Sequence, residues 1–406
     1  MNKNQIFFST IALVILFVMM IVGTYFSFTV RVPGANDLYP RWRGAQLYWL
    51  EGVDPYSVEA TEAIQRDMYG RLAEPDEDQV LFVYPFYVVF PLLPLVGLPY
   101  AWVQAVWLVV LMFSLVAGVL MGVQFLEWKM PLWLTAVTLL WAIIYYSSTR
   151  TIILGQFAGV VFVCLIGCLL MLKHERDLTA GALLALSTFK PQMVFLVIPA
   201  LLIWGFGQKR WRFLGSFIGW MAGLAGLSFL LEPRWLVSFV EQVFAYPGYT
   251  VIGNPIQILT TYYLPLGDRA GAGVDIIARL GLLLWMGWLW RDLGKTAVQS
   301  KQFLYIMSIT FLVTNLVVPE TATTNYVMLY LPLLWGLKYI SERWQWGNFS
   351  VTLFYGVSFI LIWALFILLI DGDSESPMMF LPLPFGLLAM LTLARQKLLH
   401  ESLKVA

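Results

Sequence analysis

Long apolar segments alternate with short charged segments along most of this chain. A helix that crosses a bilayer needs about 20 apolar residues, so the long segments predict membrane-spanning helices, beginning with an uncleaved first helix. We expect an all-α fold, a polytopic transmembrane helical bundle of about 12 spans, in a single integral membrane domain over 1–406. The apolar segments lie near 6–30, 99–126, 131–149, 157–173, 178–190, 193–207, 211–231, 274–290, 302–318, 325–340, 349–370 and 377–394.

Two stretches depart from this simple pattern. Segment 82–98 is apolar but contains several prolines, and proline removes a helical hydrogen bond and clashes with the preceding turn. We therefore expect a re-entrant or interfacial piece there. Segments 178–190 and 193–207 are short for separate spans, and the sequence leaves open whether they form one broken or re-entrant unit.

Composition and charge support this interpretation and add an orientation. The chain is 60% hydrophobic and 12% charged, about half the charged fraction of an average soluble domain. With both termini cytoplasmic, the cytoplasmic side holds 15 of the 25 Lys and Arg but only 6 of the 24 Asp and Glu. Lys and Arg in short loops favour the cytoplasmic side. We predict a multi-pass protein of the plasma membrane with two long non-cytoplasmic loops, 31–98 and 232–273.

The first long loop, 31–98, combines charges with aromatic side chains and has helical character in two places. We expect short surface helices over 41–51 and 57–70. Ser57 or Thr61 is a candidate N-cap for the second, because a hydroxyl there can accept a hydrogen bond from the first turn.

Asp37 is the leading candidate for a catalytic base in this loop. A carboxylate near the membrane surface can take a proton from an acceptor hydroxyl, and neighbouring Arg41 and Arg43 can bind phosphate. The alternative is structural: Asp37 caps the helix at 38–51, and Asp54 begins a turn with Pro55.

Four short motifs in a fixed order give the chain a family resemblance. Together they resemble glycosyltransferase family 87, a clan-C group that uses polyprenyl-phosphate sugars, over roughly residues 6–200. The chain departs from the family pattern where Pro40 interrupts the stretch after the aspartate and where Phe86 replaces a second proline. The motifs are Asp37 with Gly52-Val53-Asp54-Pro55-Tyr56, the run FVYPFYVVFPLLP around Tyr84, Leu154-Gly155-Gln156, and Phe189-Lys190-Pro191-Gln192.

The resemblance implies a bundle of the clan-C glycosyltransferase type and an inverting sugar transfer on the non-cytoplasmic face. The donor would be a polyprenyl-phosphate sugar, with mannose as the candidate sugar, and the acceptor a lipid or glycan. Asp37 would be the general base. The donor phosphate would lie near Lys190, Arg150, Arg41 and Arg43, and the sugar or acceptor near Gln156, Tyr84, Glu320 and Asn325.

The residues themselves leave alternatives open. Lys190 and Arg150 lie at the non-cytoplasmic ends of spans, where an ionisable group is a functional candidate but also a residue that can snorkel to the interface. Gln156 is equally compatible with a polar cap on the next span. Glu320 and Asn325 flank a threonine-rich turn and have a purely structural interpretation as well.

The partners expected on this basis are the donor, the acceptor and the lipid bilayer, with no nucleic acid, metal or other cofactor. The rival function is a secondary transporter of a small solute, since about twelve spans with both termini in the cytoplasm is a common transporter layout. Another lipid-linked glycan ligase is the remaining alternative.

Overall fold

The structure is a computed structural model that describes residues 3–245, 253–264, 266–370 and 375–400. These ranges are mainly helical and contain no β-strand, which confirms the all-α prediction. The α-helices are α1 (Lys3–Thr24), α2 (Tyr39–Gln46), α3 (Val58–Tyr69), α4 (Val89–Leu92), α5 (Tyr100–Phe125), α6 (Leu132–Ile144), α7 (Tyr146–Ile153), α8 (Ala158–Lys173), α9 (Asp177–Leu186), α10 (Val197–Gly207), α11 (Trp211–Leu231), α12 (Trp235–Ala245), α13 (Pro255–Ile258), α14 (Asp268–Leu293), α15 (Lys301–Val317), α16 (Tyr330–Arg343), α17 (Gly347–Leu369), α18 (Pro382–Leu393) and α19 (Arg395–His400).

Several helices have the length and composition of membrane spans. Among the described residues, five helices are long and apolar enough to cross a bilayer, and α6 and α7 together make a sixth candidate that bends by 53°. In the first of them, at the N-terminus, none of the most apolar stretch is buried inside the protein, as expected for a helix whose solvent is lipid. These helices confirm the polytopic membrane architecture, while the figure of 12 spans stays a prediction. The five lie at Phe7–Thr29, Tyr100–Phe125, Trp211–Leu231, Arg269–Leu293 and Gly347–Leu369.

The two irregular stretches are broken in the structure. The proline-rich piece consists of single turns, with 3-10 turns at Phe86–Val88 and Leu93–Leu95 on either side of α4. Between α9 and α10 the chain forms two further 3-10 turns, and Lys190 lies between them with extended backbone angles (φ −129°, ψ 82°). The 178–207 region is therefore interrupted at Lys190.

The chain forms two compact units, and the first contains the long polar loop. It comprises Met1–Ser114, Thr151–Gly159 and Leu227–Thr250. Here α2 packs against α3 and α4, and the indole of Trp42 donates to the Leu95 carbonyl at 3.1 Å. Ser57 caps α3 by accepting from the amide of Ala60 at 3.1 Å, as one of the two predicted caps.

Pro40 does not interrupt the helix that follows Asp37. Helix α2 begins at Tyr39 and places Pro40 in its first turn. The amides of the first turn have no partner inside the helix, so a proline there removes no helical bond. The departure from the family pattern therefore leaves this helix intact.

The second unit comprises Leu115–Arg150, Val160–Gly226 and Val251–Ala406, and α15 is its core. Every side chain from Phe303 to Val317 is buried. The polar ones need partners in this apolar setting, and Thr310 and Thr314 donate to the carbonyls of Ile306 and Thr310 at 2.8 and 2.7 Å. These two threonines thus satisfy their hydroxyls within the turns of the core helix.

Glycine allows a close contact between the ends of α10 and α14. A Cβ on Gly207 would lie 2.5 Å from Cα and 2.6 Å from the carbonyl oxygen of Gly294. The side chain of Gln208 donates to that same carbonyl at 2.8 Å. Since the opposing atoms are backbone, they cannot rotate away from an added methyl group.

We expect Gly207→Ala to lower the free energy of unfolding by about 1–3 kcal/mol, the usual cost of overpacking. Thermal unfolding of the purified protein in detergent measures this. Gly219→Ala is the matched control, because a Cβ at that position of α11 meets nothing within 4 Å. Equal melting temperatures for the two variants would contradict the argument.

Candidate active site

The segment that carries Asp37 lies side by side with the Leu154-Gly155-Gln156 motif in the first unit. The amide of Ala35 donates to the Ile153 carbonyl, and the amide of Asp37 donates to the Leu154 carbonyl, both at 3.1 Å. Two motifs that are far apart in the sequence are therefore joined by backbone hydrogen bonds, and these bonds fix the position of the Asp37 backbone.

Gly155 makes this approach possible. Its φ of +70° lies in the left-handed region, which glycine adopts without steric cost. A Cβ at this position would lie 2.8 Å from the Cβ of Leu38 and 2.9 Å from that of Ala35. The indole of Trp107 donates to the Gly155 carbonyl at 2.8 Å, so the turn is fixed from its other side as well.

The Asp37 carboxylate is held by the side chain of Gln156. The amide nitrogen of Gln156 donates to Oδ2 of Asp37 at 2.6 Å, and its amide oxygen accepts from the Tyr84 hydroxyl at 3.3 Å. Because a carboxylate can only accept, the amide is oriented with its nitrogen toward Asp37. Three separately predicted residues thus form one hydrogen-bonded chain.

Asp37 is not the cap of the helix that follows it. The N-cap of α2 is Leu38, and no side chain caps this helix end. Asp37 is half-buried, and within the described part of the chain its second oxygen, Oδ1, receives no hydrogen bond. The capping interpretation of Asp37 is therefore wrong, and one carboxylate oxygen receives no hydrogen bond from the described residues.

Arg41 lies on the other side of Tyr84. Its guanidinium stacks over the tyrosine ring, 4.6 Å from the centroid, and the residue is only 9% exposed. Its Nε is buried without a hydrogen-bond partner, and no ion pair within the described residues involves it. A buried guanidinium nitrogen without an acceptor is unusual, which makes Arg41 a candidate ligand for an anion.

Burial raises the pKa of the Tyr84 phenol, and the nearby charges of Arg41 and Asp37 act on it in opposite directions. The hydroxyl therefore keeps its proton throughout the physiological range and acts as a hydrogen-bond donor to Gln156.

Arg43, by contrast, already has partners. Its guanidinium pairs with Asp67 at 2.9 Å and with Glu51 at 3.3 Å, and it donates to Gln46 at 2.8 Å. These contacts connect α2 to α3. Of the three predicted arginines, Arg43 and Arg150 have carboxylate partners, and Arg41 has none among the described residues.

The Gly-x-Asp-Pro-Tyr motif supports Tyr84. Gly52 ends the preceding helical turn with φ +71°, and Oδ1 of Asp54 accepts from the amide of Tyr56 at 2.9 Å, which closes a turn. The hydroxyl of Tyr56 then donates to the Tyr84 carbonyl at 2.5 Å. The structural interpretation of Asp54 is therefore correct.

The remaining predicted residues belong to the second unit. Arg150 pairs with Glu375 at 3.4 Å, and Tyr146 donates to the same carboxylate at 2.7 Å. Lys190 is buried at the break described above. Glu320 is half-buried, and the buried Asn325 donates to Thr321 at 3.2 Å. Among the described residues, no three His, Cys, Asp or Glu side chains gather as metal ligands would.

Comparison with known proteins identifies the family. The sequence model of glycosyltransferase family 87 matches residues 82–319, more than half of the chain. The chain belongs to glycosyltransferase family 87. It is therefore a glycosyltransferase with membrane-spanning helices. Searches of curated proteins and of solved structures found no match.

The family 87 match covers part of the candidate site. It also extends to residue 319, beyond the short motifs toward the C-terminus. It includes Tyr84, Gln156 and Lys190 and begins after Asp37 and Arg41. The hydrogen bond from Gln156 to Asp37 joins the matched region to the loop that precedes it.

Several supporting residues of this glycosyltransferase were missed from the sequence. The hydroxyl of Tyr100 donates to the carbonyls of Gly34 and Ala35, both at 2.9 Å, but a tyrosine at the start of a span is typical of an interfacial belt. Glu375 and Gln242 were also missed, because a single polar residue in an apolar or acidic neighbourhood carries no spacing signal.

We expect Gly155→Ala to reduce sugar transfer strongly, because the added methyl group forces apart the segments that fix Asp37. Gly70→Ala is the matched control: its φ is +71°, so the backbone strain is the same, but a Cβ there meets nothing within 4 Å. Transfer activity and thermal unfolding are measured for both. If the two variants lost activity equally, backbone strain rather than the close approach would be the cause.

Proposed function

We propose that this glycosyltransferase transfers a sugar, with mannose as the candidate, from a polyprenyl-phosphate sugar to a lipid or glycan acceptor, with inversion. The single observation that carries the proposal is the pair of groups on either side of Tyr84. Asp37 is a half-buried carboxylate with one oxygen that receives no hydrogen bond from the described residues, and Arg41 is a buried arginine whose Nε has no acceptor. Such a pair suits a base and a phosphate leaving group.

Asp37 acts as the general base in this proposal. Gln156 holds Oδ2, so Oδ1 can accept the proton of the acceptor hydroxyl as the acceptor oxygen attacks the anomeric carbon. The bond from that carbon to the phosphate oxygen breaks, and the polyprenyl phosphate departs as an anion. One displacement inverts the anomeric centre, and the stable leaving group needs no second carboxylate acid, unlike glycoside hydrolysis.

Arg41 binds the departing phosphate. A guanidinium presents several N–H donors in a geometry that matches phosphate oxygens, and its stacking on Tyr84 orients the plane. Lys190 and Arg150 are further candidates in the second unit, and both lie within the region matched by the family. Arg43 would have to exchange its carboxylate partners to take part.

For the sugar and the acceptor we propose Gln156, Tyr84, Glu320 and Asn325. The buried amide oxygen of Asn325 has no hydrogen-bond partner within the described residues, so it can accept from a ligand hydroxyl. Family membership favours an enzyme over the secondary transporter. The remaining alternative, a lipid-linked glycan ligase, is distinguished from this function by identifying the acceptor. We place this protein in the plasma membrane, and the Lys and Arg asymmetry supports both termini being cytoplasmic, with transfer on the opposite face.

We expect Asp37→Asn to lower the transfer rate by about 100- to 10,000-fold, the usual contribution of a general base. Transfer from a radiolabelled polyprenyl-phosphate mannose into membrane lipids measures this. Asp76→Asn, at an exposed position of the same loop, should keep full activity. An Asp37→Asn enzyme as active as this control would remove Asp37 from the mechanism.

We expect Arg41→Gln to weaken donor binding by roughly 10- to 100-fold, as for the loss of a charged hydrogen bond. Arg43→Gln should leave donor affinity unchanged and reduce thermal stability slightly, since exposed ion pairs contribute little. Binding of the radiolabelled donor without acceptor measures both variants. Equal affinity in the Arg41→Gln and wild-type enzymes would exclude Arg41 as the phosphate ligand.

A further inference from the structure

Gln242 on α12 joins the two segments that position Tyr84. Its amide oxygen accepts from the amide of Val83 at 3.0 Å, and its amide nitrogen donates to the Tyr56 carbonyl at 3.2 Å. The residue is 8% exposed. One buried side chain from the second long loop therefore bonds through both its amide oxygen and its amide nitrogen to backbone groups of the first long loop.

The residue that Gln242 holds is strained. Val83 has a φ of +33°, a region that β-branched residues rarely occupy. Such backbone persists only where the surroundings hold it in place. Gln242 holds the amide of Val83, and the hydroxyl of Tyr56 holds the carbonyl of the next residue, Tyr84, at 2.5 Å.

The Tyr84 hydroxyl holds the Gln156 side chain at its amide oxygen, opposite the nitrogen that contacts Asp37. The Tyr84 hydroxyl donates to the amide oxygen of Gln156, which leaves the amide nitrogen to donate to Asp37. Without that donor, the amide oxygen loses this anchor, and the Gln156 side chain can shift so that its nitrogen no longer stays on Oδ2 of Asp37. The orientation of the base therefore depends on the backbone at Val83 and Tyr84.

We propose that Gln242 is a positioning residue for Asp37 and acts through Val83, Tyr84 and Gln156. The proposal rests on the proposed function, since it assigns Gln242 to the orientation of that base. It predicts that kcat falls by more than the KM of donor or acceptor changes, and it predicts coupling between Gln242 and the Tyr84 hydroxyl.

A double-mutant cycle with Gln242→Met and Tyr84→Phe tests the coupling. Each single variant should lower kcat about fivefold, the effect of one hydrogen bond, and the double variant should also lose about fivefold. Independent roles would instead multiply to about 25-fold. Gln242→Glu places a carboxylate oxygen, an acceptor, against the Tyr56 carbonyl and should lower kcat at least as much as Gln242→Met. Activities are normalised to folded protein in detergent.

Glu241→Leu, at the exposed neighbouring position of α12, is the control and should have wild-type kcat. If Gln242→Met does not accumulate, Gln242→Asn replaces it, because the shorter amide cannot reach both partners. Multiplicative losses, or an unchanged kcat in the Gln242 variant, would overturn the proposal. An active Asp37→Asn enzyme would instead overturn the proposed function, so the two failures are distinguishable.

Discussion

The close approach of two backbone segments at Gly155 is the constraint on which the candidate site depends. Because this residue has no side chain, the chain around Ala35 and Leu38 lies directly against it, and two amide-to-carbonyl bonds join the segments. The same geometry brings Gln156 within reach of Asp37. Neither segment is part of a sheet, and the pairing replaces the regular structure that would otherwise hold a catalytic group rigid.

The arginines show how the site differs from the scaffold. Arg210 binds Asp177 through two nitrogens at 2.5 and 2.9 Å, and Arg43 pairs with the carboxylates of Asp67 and Glu51. Removing a charge from water is costly unless a partner compensates it. Arg41 is more buried than a surface cation, yet it has only the Tyr84 ring. An anionic ligand bound to Arg41 would offset the free-energy cost of removing this charge from water.

The sequence predicts the helices better than the site. Apolar length identifies α1 and α5 as spans, and proline density predicts the break before α5. The motifs point to Asp37, Tyr84 and Gln156, and in the structure these three residues are joined by hydrogen bonds. The difference in partners between Arg41 and Arg43 could not be predicted, since the sequence does not show which of two neighbouring arginines has a carboxylate within reach.

Strained backbone occurs beside both arms of the hydrogen-bonded chain. Ala35 has a φ of +56° two residues before Asp37, and Val83 has a φ of +33° immediately before Tyr84. Each strained residue donates its amide to another part of the first unit, to Ile153 or to Gln242. Such strain persists where surrounding bonds over-determine the conformation, and it clusters at functional sites. Positive φ also occurs at Val80, Glu127, Glu175 and Lys209. What ties Ala35 and Val83 to Asp37 is therefore not the strain alone but the hydrogen bonds that hold these two residues against the segments carrying Gln156 and Gln242.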